Sequence, residues 1–427
     1  MSLPVESAPR AARALTPSSV APVPRYRNPI RVLQEHRNFR LFWLGQTSSV
    51  IGTWMQTVAQ GWLALELTNS AFMVGFVSAA DSLPVLLLTL YAGVLADRHD
   101  KLRLVLLTQA LFLVQAATLW WFDWSGRVTI VALTLLALLA GVVNAFDIPT
   151  RQSLIVELVG REDIVDAIAL NSSGFNLARI VGPSIAAIVI DRAGLAWCFA
   201  LNAASYLFVL AALARIRLPA HQPRVHTASP IEGMREGLRF MLRTRSLTLL
   251  MVMVAALSVF GIPFLVLMPV VARDVLHGGA RAYGLLLAAV GVGAVLGAVV
   301  LATTGHTMRR GRWLAISALS FCVLLLAFSF ARSLWLATLL LGGVGFAMIQ
   351  TNALANGLLQ TLAPDELRGR VMSAYAFVFV GLNPVGALLA GSLAEVAGAP
   401  AAIGAGAVVL LLVSAWVLGV RREVSGL

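Results

Sequence analysis

Long apolar stretches separated by short polar breaks dominate this chain. Apolar residues run from Phe72 to Tyr91 with few interruptions and resume from Leu102 to Trp121. About 20 apolar residues cross the hydrocarbon of a bilayer as a helix, and roughly twelve such segments are predicted. They lie near 41–65, 72–96, 102–122, 128–148, 167–190, 195–214, 247–270, 283–303, 313–331, 334–354, 371–394 and 400–420. Helices are expected because a spanning backbone must satisfy its own hydrogen bonds. Between the sixth and seventh segments the pattern breaks over 215–246, with Pro219, Pro223 and many arginines, then turns amphipathic from Ile231 to Leu242. That stretch reads as a solvated linker lying on lipid headgroups between two six-helix bundles, 29–214 and 247–420. Residues 1–28, rich in Pro, Ala, Ser and Arg, and residues 421–427 read as tails, and 29–38 as a short surface helix.

Composition reinforces the membrane reading. Mean hydropathy is +0.85 and only 12% of residues are charged, where a soluble domain carries about 25%. Of the 32 Lys and Arg residues, 26 fall in the N-terminal arm, the loops after even-numbered spans and the C-terminal tail. Arg127, Arg192, Arg273, Arg281 and Arg332 fall on the opposite side, and Arg179 falls inside a span. By the positive-inside rule both termini are expected in the cytoplasm of a bacterial plasma membrane. This distribution also explains the net charge of +12 without nucleic acid, since the tryptophans gather at membrane edges instead of among the basic residues.

Catalysis, metal binding and nucleotide drive find no support. The six histidines map to loops or edges, and Cys198 and Cys322 match no metal or disulfide spacing. No nucleotide-binding loop of the G-x-x-x-x-G-K-[ST] type is present, so no cofactor is expected. The partners expected are a small-molecule substrate, protons and lipid.

Weak internal similarity between 153–162 and 357–366, followed by Pro183 and Pro384 at corresponding places, suggests two repeats with a midplane site between them. Two ionisable residues lie deep in predicted spans. Burying Asp81 and Arg179 there costs about 2.5–3.5 kcal/mol each on insertion scales, so a partner or a wet cavity is implied. A carboxyl at that depth can take up and release a proton as its access to water changes, which makes Asp81 the candidate proton carrier; a fixed, hydrogen-bonded aspartate is the alternative. Arg179 stays charged and would bind an anionic group or hold Asp81. Gln46, Thr53, Gln56 and Gln60 share about an 80° arc of the first span at 100° per residue, a polar stripe expected to face a cavity. Asn171, Asn176, Asn202, Gln350, Asn352, Asn356 and Asn383 add hydrogen-bonding capacity, each also explicable as helix–helix glue. Phe260, Phe264 and Met268 would supply an apolar wall or face lipid. Asp147 and Arg151, at i, i+4 around Pro149, suit a helix ion pair, with Glu157 as a further candidate member of the cluster.

The run Gly93-Val-Leu-Ala-Asp97-Arg98-His-Asp100-Lys101-Leu-Arg103 sits in a tight turn between two spans. It resembles the signature loop of the major facilitator superfamily, G-x-x-x-D-R-x-G-R-[RK], departing at Asp100 and Leu102. The stretches 39–46, 52–56, 147–152, 176–183 and 366–372 resemble the branch holding enterobactin exporters and macrolide-efflux-like proteins. The resemblance implies an all-α, twelve-helix secondary transporter that exports an amphipathic siderophore or drug by proton antiport; import of a polar metabolite is the alternative. It implies a conformational gate in which Asp97 faces the start of the eleventh helix, Arg98, Lys101 and Arg103 reach Asp147, and Gly93 permits close approach. Residues 178–187 are similar to the antiporter motif G-x-x-x-G-P-x-x-G-G, with Gly182 for close packing and Pro183 for a bend.

Overall fold

The computed structural model describes residues 29–160, 162–218, 230–304, 309–364 and 367–420. The predicted tails and linker residues 219–229 lie outside the described residues. A short α1 (Pro29–Glu35) leads into α2 (Arg37–Thr68), α3 (Ala71–Arg98), α4 (Lys101–Trp124), α5 (Ile130–Val159), α6 (Ile164–Ala193) and α7 (Leu195–Leu213). After α8 (Pro230–Arg243) come α9 (Arg245–Val275), α10 (Ala280–Thr304), α11 (Arg310–Ser329), α12 (Leu334–Leu362), α13 (Arg368–Ala397) and α14 (Ala399–Val420). Eleven of these are long and apolar enough to span a membrane; α2, with Arg37, Arg40 and Glu66 near its ends, is the twelfth long helix.

Local chemistry sets the helix ends. Ser70, Thr129 and Ser333 accept backbone N–H groups three residues on, satisfying donors that a first turn leaves orphaned. Asp100 does the same for α4, accepting from Arg103 N at 3.0 Å. Its place in the turn, where the superfamily pattern has glycine, therefore has a local reason. Gly160, Gly194 and Gly398 end their helices with φ of 74°, 93° and 86°, a region costly to other residues.

The halves repeat one packing plan. In the first, α3 lies on α5, α4 on α5 and α7, and α2 on α6 and α7; in the second, α10 lies on α12, and α11 on α12 and α14. Two seams join the halves: α3 against α13, and α6 against α10. Each pairs the second spanning helix of one half with the fifth of the other, as a pseudo-twofold axis requires.

Backbone comes close across both seams. A Cβ on Gly75 would lie 2.5 Å from Ala387 O, one on Gly284 2.8 Å from Pro183 O, and one on Gly291 3.4 Å from Arg179 O. The described contacts between halves crowd toward the face opposite the Pro29 and Val420 ends, here called the far face. There Trp62 stacks on Tyr283. Arg273 Nη1 donates to Asn69 Oδ1 at 2.9 Å and to Leu65 O at 3.3 Å, while Glu395 Oε2 accepts from Ser70 Oγ at 2.9 Å and Phe72 N at 3.0 Å. Toward the terminal face the seam between α3 and α13 loosens: Gly381 still meets Leu86, but among the described residues nothing lies within 4 Å of a Cβ on Gly93. The close approach expected at Gly93 is therefore not made in this conformation.

The amphipathic helix α8 does not lie free as a solvated connector. It packs on α13, where a Cβ on Gly237 would lie 2.4 Å from Arg370 O and Glu236 pairs with Arg370. Met241 is buried in the same cluster.

Candidate transport cavity

A cavity of about 460 Å³ lies between the halves. The two sides that line it differ in chemistry. The first half contributes Ser49, Thr53, Thr57 and Gln60 from α2, Ser78, Asp81 and Ser82 from α3, and Asn144, Asp147 and Arg151 from α5, with Gln109 from α4. The second contributes Ile262, Leu265 and Val266 from α9, Ala387 from α13, and only Tyr283 and Asn383 as polar groups. Aromatic rings of Trp54, Phe112, Phe175 and Tyr206 complete the wall.

The α9 wall owes its shape to proline. Pro263 and Pro269 each remove a backbone donor, and the helix passes through wide turns at Leu257–Gly261 and Val271–Val275 and a tight one at Ile262–Leu265. This turns Ile262, Leu265 and Val266 into the cavity. Phe260 is instead over a third exposed, and Phe264 and Met268 are buried in the core, so the apolar wall expected from those three is made by their neighbours. Ser258 Oγ donates to Phe379 O at 2.8 Å, just before the break in α13 at Leu382.

Asp81 is placed by the backbone around it. Gly141 of α5 comes so close that a Cβ there would lie 2.0 Å from Asp81 O and 3.0 Å from Pro84 Cδ. Pro84, inside α3, frees the carbonyl of Ala80 from its helical bond. The Asp81 carboxyl has no hydrogen bond or ion pair among the described residues. It does not meet Arg179: that side chain is off the cavity wall, and its Nε and Nη2 are buried without a partner. The pairing of these two residues is not formed.

Asp147 is the opposite case. It is 1% exposed. Oδ1 accepts from Thr108 Oγ1 at 2.7 Å and Gln109 Nε2 at 2.9 Å, and Oδ2 lies 2.5 Å from Arg151 Nε in an ion pair poorly angled for a hydrogen bond. The basic loop does not reach it. Lys101 pairs with Glu157 at the end of α5, and Arg103 lies 3.7 Å from its own neighbour Asp100, while Arg98 is exposed. Asp147 sits about three helical turns deeper than Glu157, which explains the exchange of partners. The side chain of Asp97 lies outside the described residues.

The polar stripe of α2 divides. Thr53 and Gln60 line the cavity, Gln60 Nε2 without a partner and Thr53 Oγ1 3.0 Å from the Tyr206 hydroxyl. Gln46 and Gln56 are buried away from the cavity. Gln56 donates to Gln115 Oε1 at 3.0 Å and accepts from Asn202 Nδ2 at 2.8 Å, tying α2, α4 and α7 together. Asn176 donates to Ser172 O in its own helix, Gln350 accepts from Ser317, and Asn356 accepts from Gln360; only Asn383 of that predicted set lines the cavity. Gly182 brings α6 against α2, where a Cβ would lie 2.5 Å from Trp54 Cβ, and Pro183 turns its carbonyl to Gly284 across the seam. The cavity residues Ser49, Thr57, Ser78, Ser82, Asn144, Tyr206 and Tyr283 were not singled out by sequence; Ser49 and Thr57 share the α2 face of Thr53 at helical spacing.

A family model described as transmembrane secretion effector matches residues 30–424. The chain belongs to this family of the major facilitator superfamily. Among the relatives of this transporter is the multidrug efflux pump Tap of Mycolicibacterium fortuitum, 30% identical over 356 residues, 81% of this chain and 87% of that protein. The enterobactin exporter EntS of Shigella flexneri is 26% identical over 396 residues, 92% and 94% of the two chains. Solved structures share the fold at low identity. A peptide transporter POT matches with a TM-score of 0.74 at 12% identity, covering 93% of this chain and 99% of that one. A bacterial homologue of the human lysosomal transporter Spinster, inward-facing and unoccupied, matches with a TM-score of 0.68 at 15% identity, covering 93% and 97%. This secretion-effector relative is a multi-pass membrane transporter.

Proposed function

We propose that this transporter exports an amphipathic organic small molecule across a bacterial plasma membrane by alternating access, driven by protons entering through Asp81. The observation that carries the reading is Asp81 itself: a carboxyl with no partner, on the wall of the cavity between the halves. A group that must bind and release a proton in each cycle cannot be locked into a permanent ion pair, and Asp147 is so locked. The polar first half and apolar second half of the wall suit an amphipathic cargo. The export direction draws on Tap and EntS, whose names describe efflux and export.

The halves 29–214 and 247–420 rock as units about the two seams. Both termini face the cytoplasm, following the basic residues, so the conformation described is open inward. When the terminal face closes, Gly93 gains the close approach it lacks here, with Asp97, Arg98, Lys101 and Arg103 forming the lock at the start of α13 and the Asp147–Arg151 pair holding α5.

Flux in proteoliposomes with an imposed pH gradient and a panel of hydrophobic cargoes tests the reading. Wild type accumulates cargo against its gradient, and Asp81→Asn loses gradient-driven accumulation by about tenfold or more while passive exchange persists. Gradient drive retained in a stable Asp81→Asn protein removes Asp81 as carrier. Accumulation in the reverse direction would favour import of a metabolite.

A further inference from the structure

Away from the transport cavity, at the terminal face, a second cavity of about 540 Å³ opens between the start of α2 and the chain leaving α7. It is lined by Arg37, Asn38, Ala214, Arg215 and Arg217, so three guanidinium groups share one hollow and no described carboxylate lines it. The acids beside the start of α2 are already engaged, Glu35 by Arg31 and Asp163 by His36. Among the described residues Arg37 and Arg217 have no side-chain partner, and Arg215 uses only Nη1, on Ala211 O at 3.1 Å. No side chain caps the start of α2, so the positive end of its dipole adds to the same field. Packing brings these charges together. Ile216 is buried in one cluster with Phe39 and Phe42, and Asn38 Nδ2 donates to Arg217 O at 3.0 Å, which holds the chain after α7 against α2 and its two arginines beside Arg37. Orientation in a membrane needs cations on this face but not gathered in a hollow, where they repel until an anion joins them.

The surroundings select the kind of anion. Leu207 and Phe208 of α7 are exposed, and Leu207, Ala211 and Ala214 fall at i, i+4 and i+7, one stripe that ends in the hollow. On α2, Leu44 is exposed seven residues on from Arg37, on the same side of its helix. None of these lines the transport cavity. We propose that the hollow binds the phosphate of an anionic phospholipid headgroup, with the acyl chains lying along the exposed stripe of α7. Arginine forks suit phosphate oxygens, and basic pockets at the cytoplasmic ends of spanning helices suit anionic headgroups. A soluble phosphate would use the hollow and leave the stripe bare. Both walls belong to the first half, so the lipid steadies α2 against α7 and ties down the start of the linker.

The test uses the full chain in detergent, with native mass spectrometry to count bound lipid and thermal unfolding to read its effect. The probes are phosphatidylglycerol and phosphatidylcholine with the same acyl chains; both carry phosphate, but choline cancels the charge of the second. Phosphatidylglycerol is expected to bind at least about tenfold more tightly and to raise the unfolding midpoint, with the preference shrinking as salt is added. Replacing Arg37, Arg215 and Arg217 together by Gln should lower phosphatidylglycerol affinity by about tenfold or more. Replacing Arg309, Arg310 and Arg312 by Gln removes the same charge from the start of α11 on the same face, and should keep the affinity. The headgroup comparison on wild type needs no variant and stands even if the first triple substitution misfolds. Equal binding of the two lipids overturns the proposal, as does an equal loss in both triple variants, which would make the effect one of overall surface charge. Inorganic phosphate that raises the midpoint as far as phosphatidylglycerol does, through the same three arginines, would assign the hollow to a soluble anion and overturn the lipid assignment.

Discussion

Two carboxylates in one cavity, Asp81 and Asp147, differ only in what surrounds them, and that difference assigns their work. Asp147 has both oxygens engaged, so removing it strands Gln109 Nε2 and the half-buried Arg151 guanidinium, while Thr108 keeps its bond to Val105 O. Asp147→Ala is expected to lower stability by about 3 kcal/mol, as for other broken buried pairs, read as a drop in the unfolding midpoint in detergent. Asp81→Asn strands nothing and should leave that midpoint within about 0.5 kcal/mol of wild type. An equal loss in both would make Asp81 a structural residue. The depth of Asp81 and Arg179 was legible in the sequence, because position in an apolar run gives depth directly. Whether they meet was not. That depends on the rotation of α3 against α6, which no apolar period records. The same limit explains Gln46 and Gln56: the 80° arc of α2 is polar as read, but helices pack on both of its margins, and only the Thr53–Gln60 side remains on the cavity.

At the scale of the helix, spans and breaks followed from the hydrophobic pattern, while the internal distortions of α9 and α13 did not. Pro263, Pro269 and Pro384 mark where such distortions can occur, yet which carbonyls are rescued depends on partners such as Ser258. Glycines show the same division. Gly141 holds α5 against the Asp81 carbonyl, so Gly141→Ala must shift backbone; transport should fall at least about tenfold, with a lower unfolding midpoint. Gly93 stands in open space, so Gly93→Val should leave the midpoint of this conformation unchanged while blocking flux, because it obstructs only the closed terminal face. Normal flux in Gly93→Val would remove it from the gate.

For the whole molecule, closure of the far face is held by charges of one half acting on helix ends of the other. Arg273 meets the exposed carbonyl end of α2, where the helix dipole is negative, and Glu395 meets the amide end of α3, where it is positive. Arg273→Ala with Glu395→Ala should therefore shift the population toward an open far face. A single cysteine at Gln60 reports this by its labelling rate from the far side, since Cys198 and Cys322 are buried and stay silent. An unchanged rate would mean the seams alone keep that face shut.

Those seams also bear on how fast the molecule can cycle. Interlocked side chains must each leave a rotamer well before two helices part, and every such step adds to the barrier. Where α3 meets α13, Gly75 and Gly391 place bare main chain against main chain, whereas in the seam of α6 with α10 the side chains of Ala187 and Ile180 pack on Gly284 and Gly291. Around Gly75 and Gly391 the two halves meet as a smooth bearing surface, able to separate and rejoin there without a side chain having to withdraw from a socket.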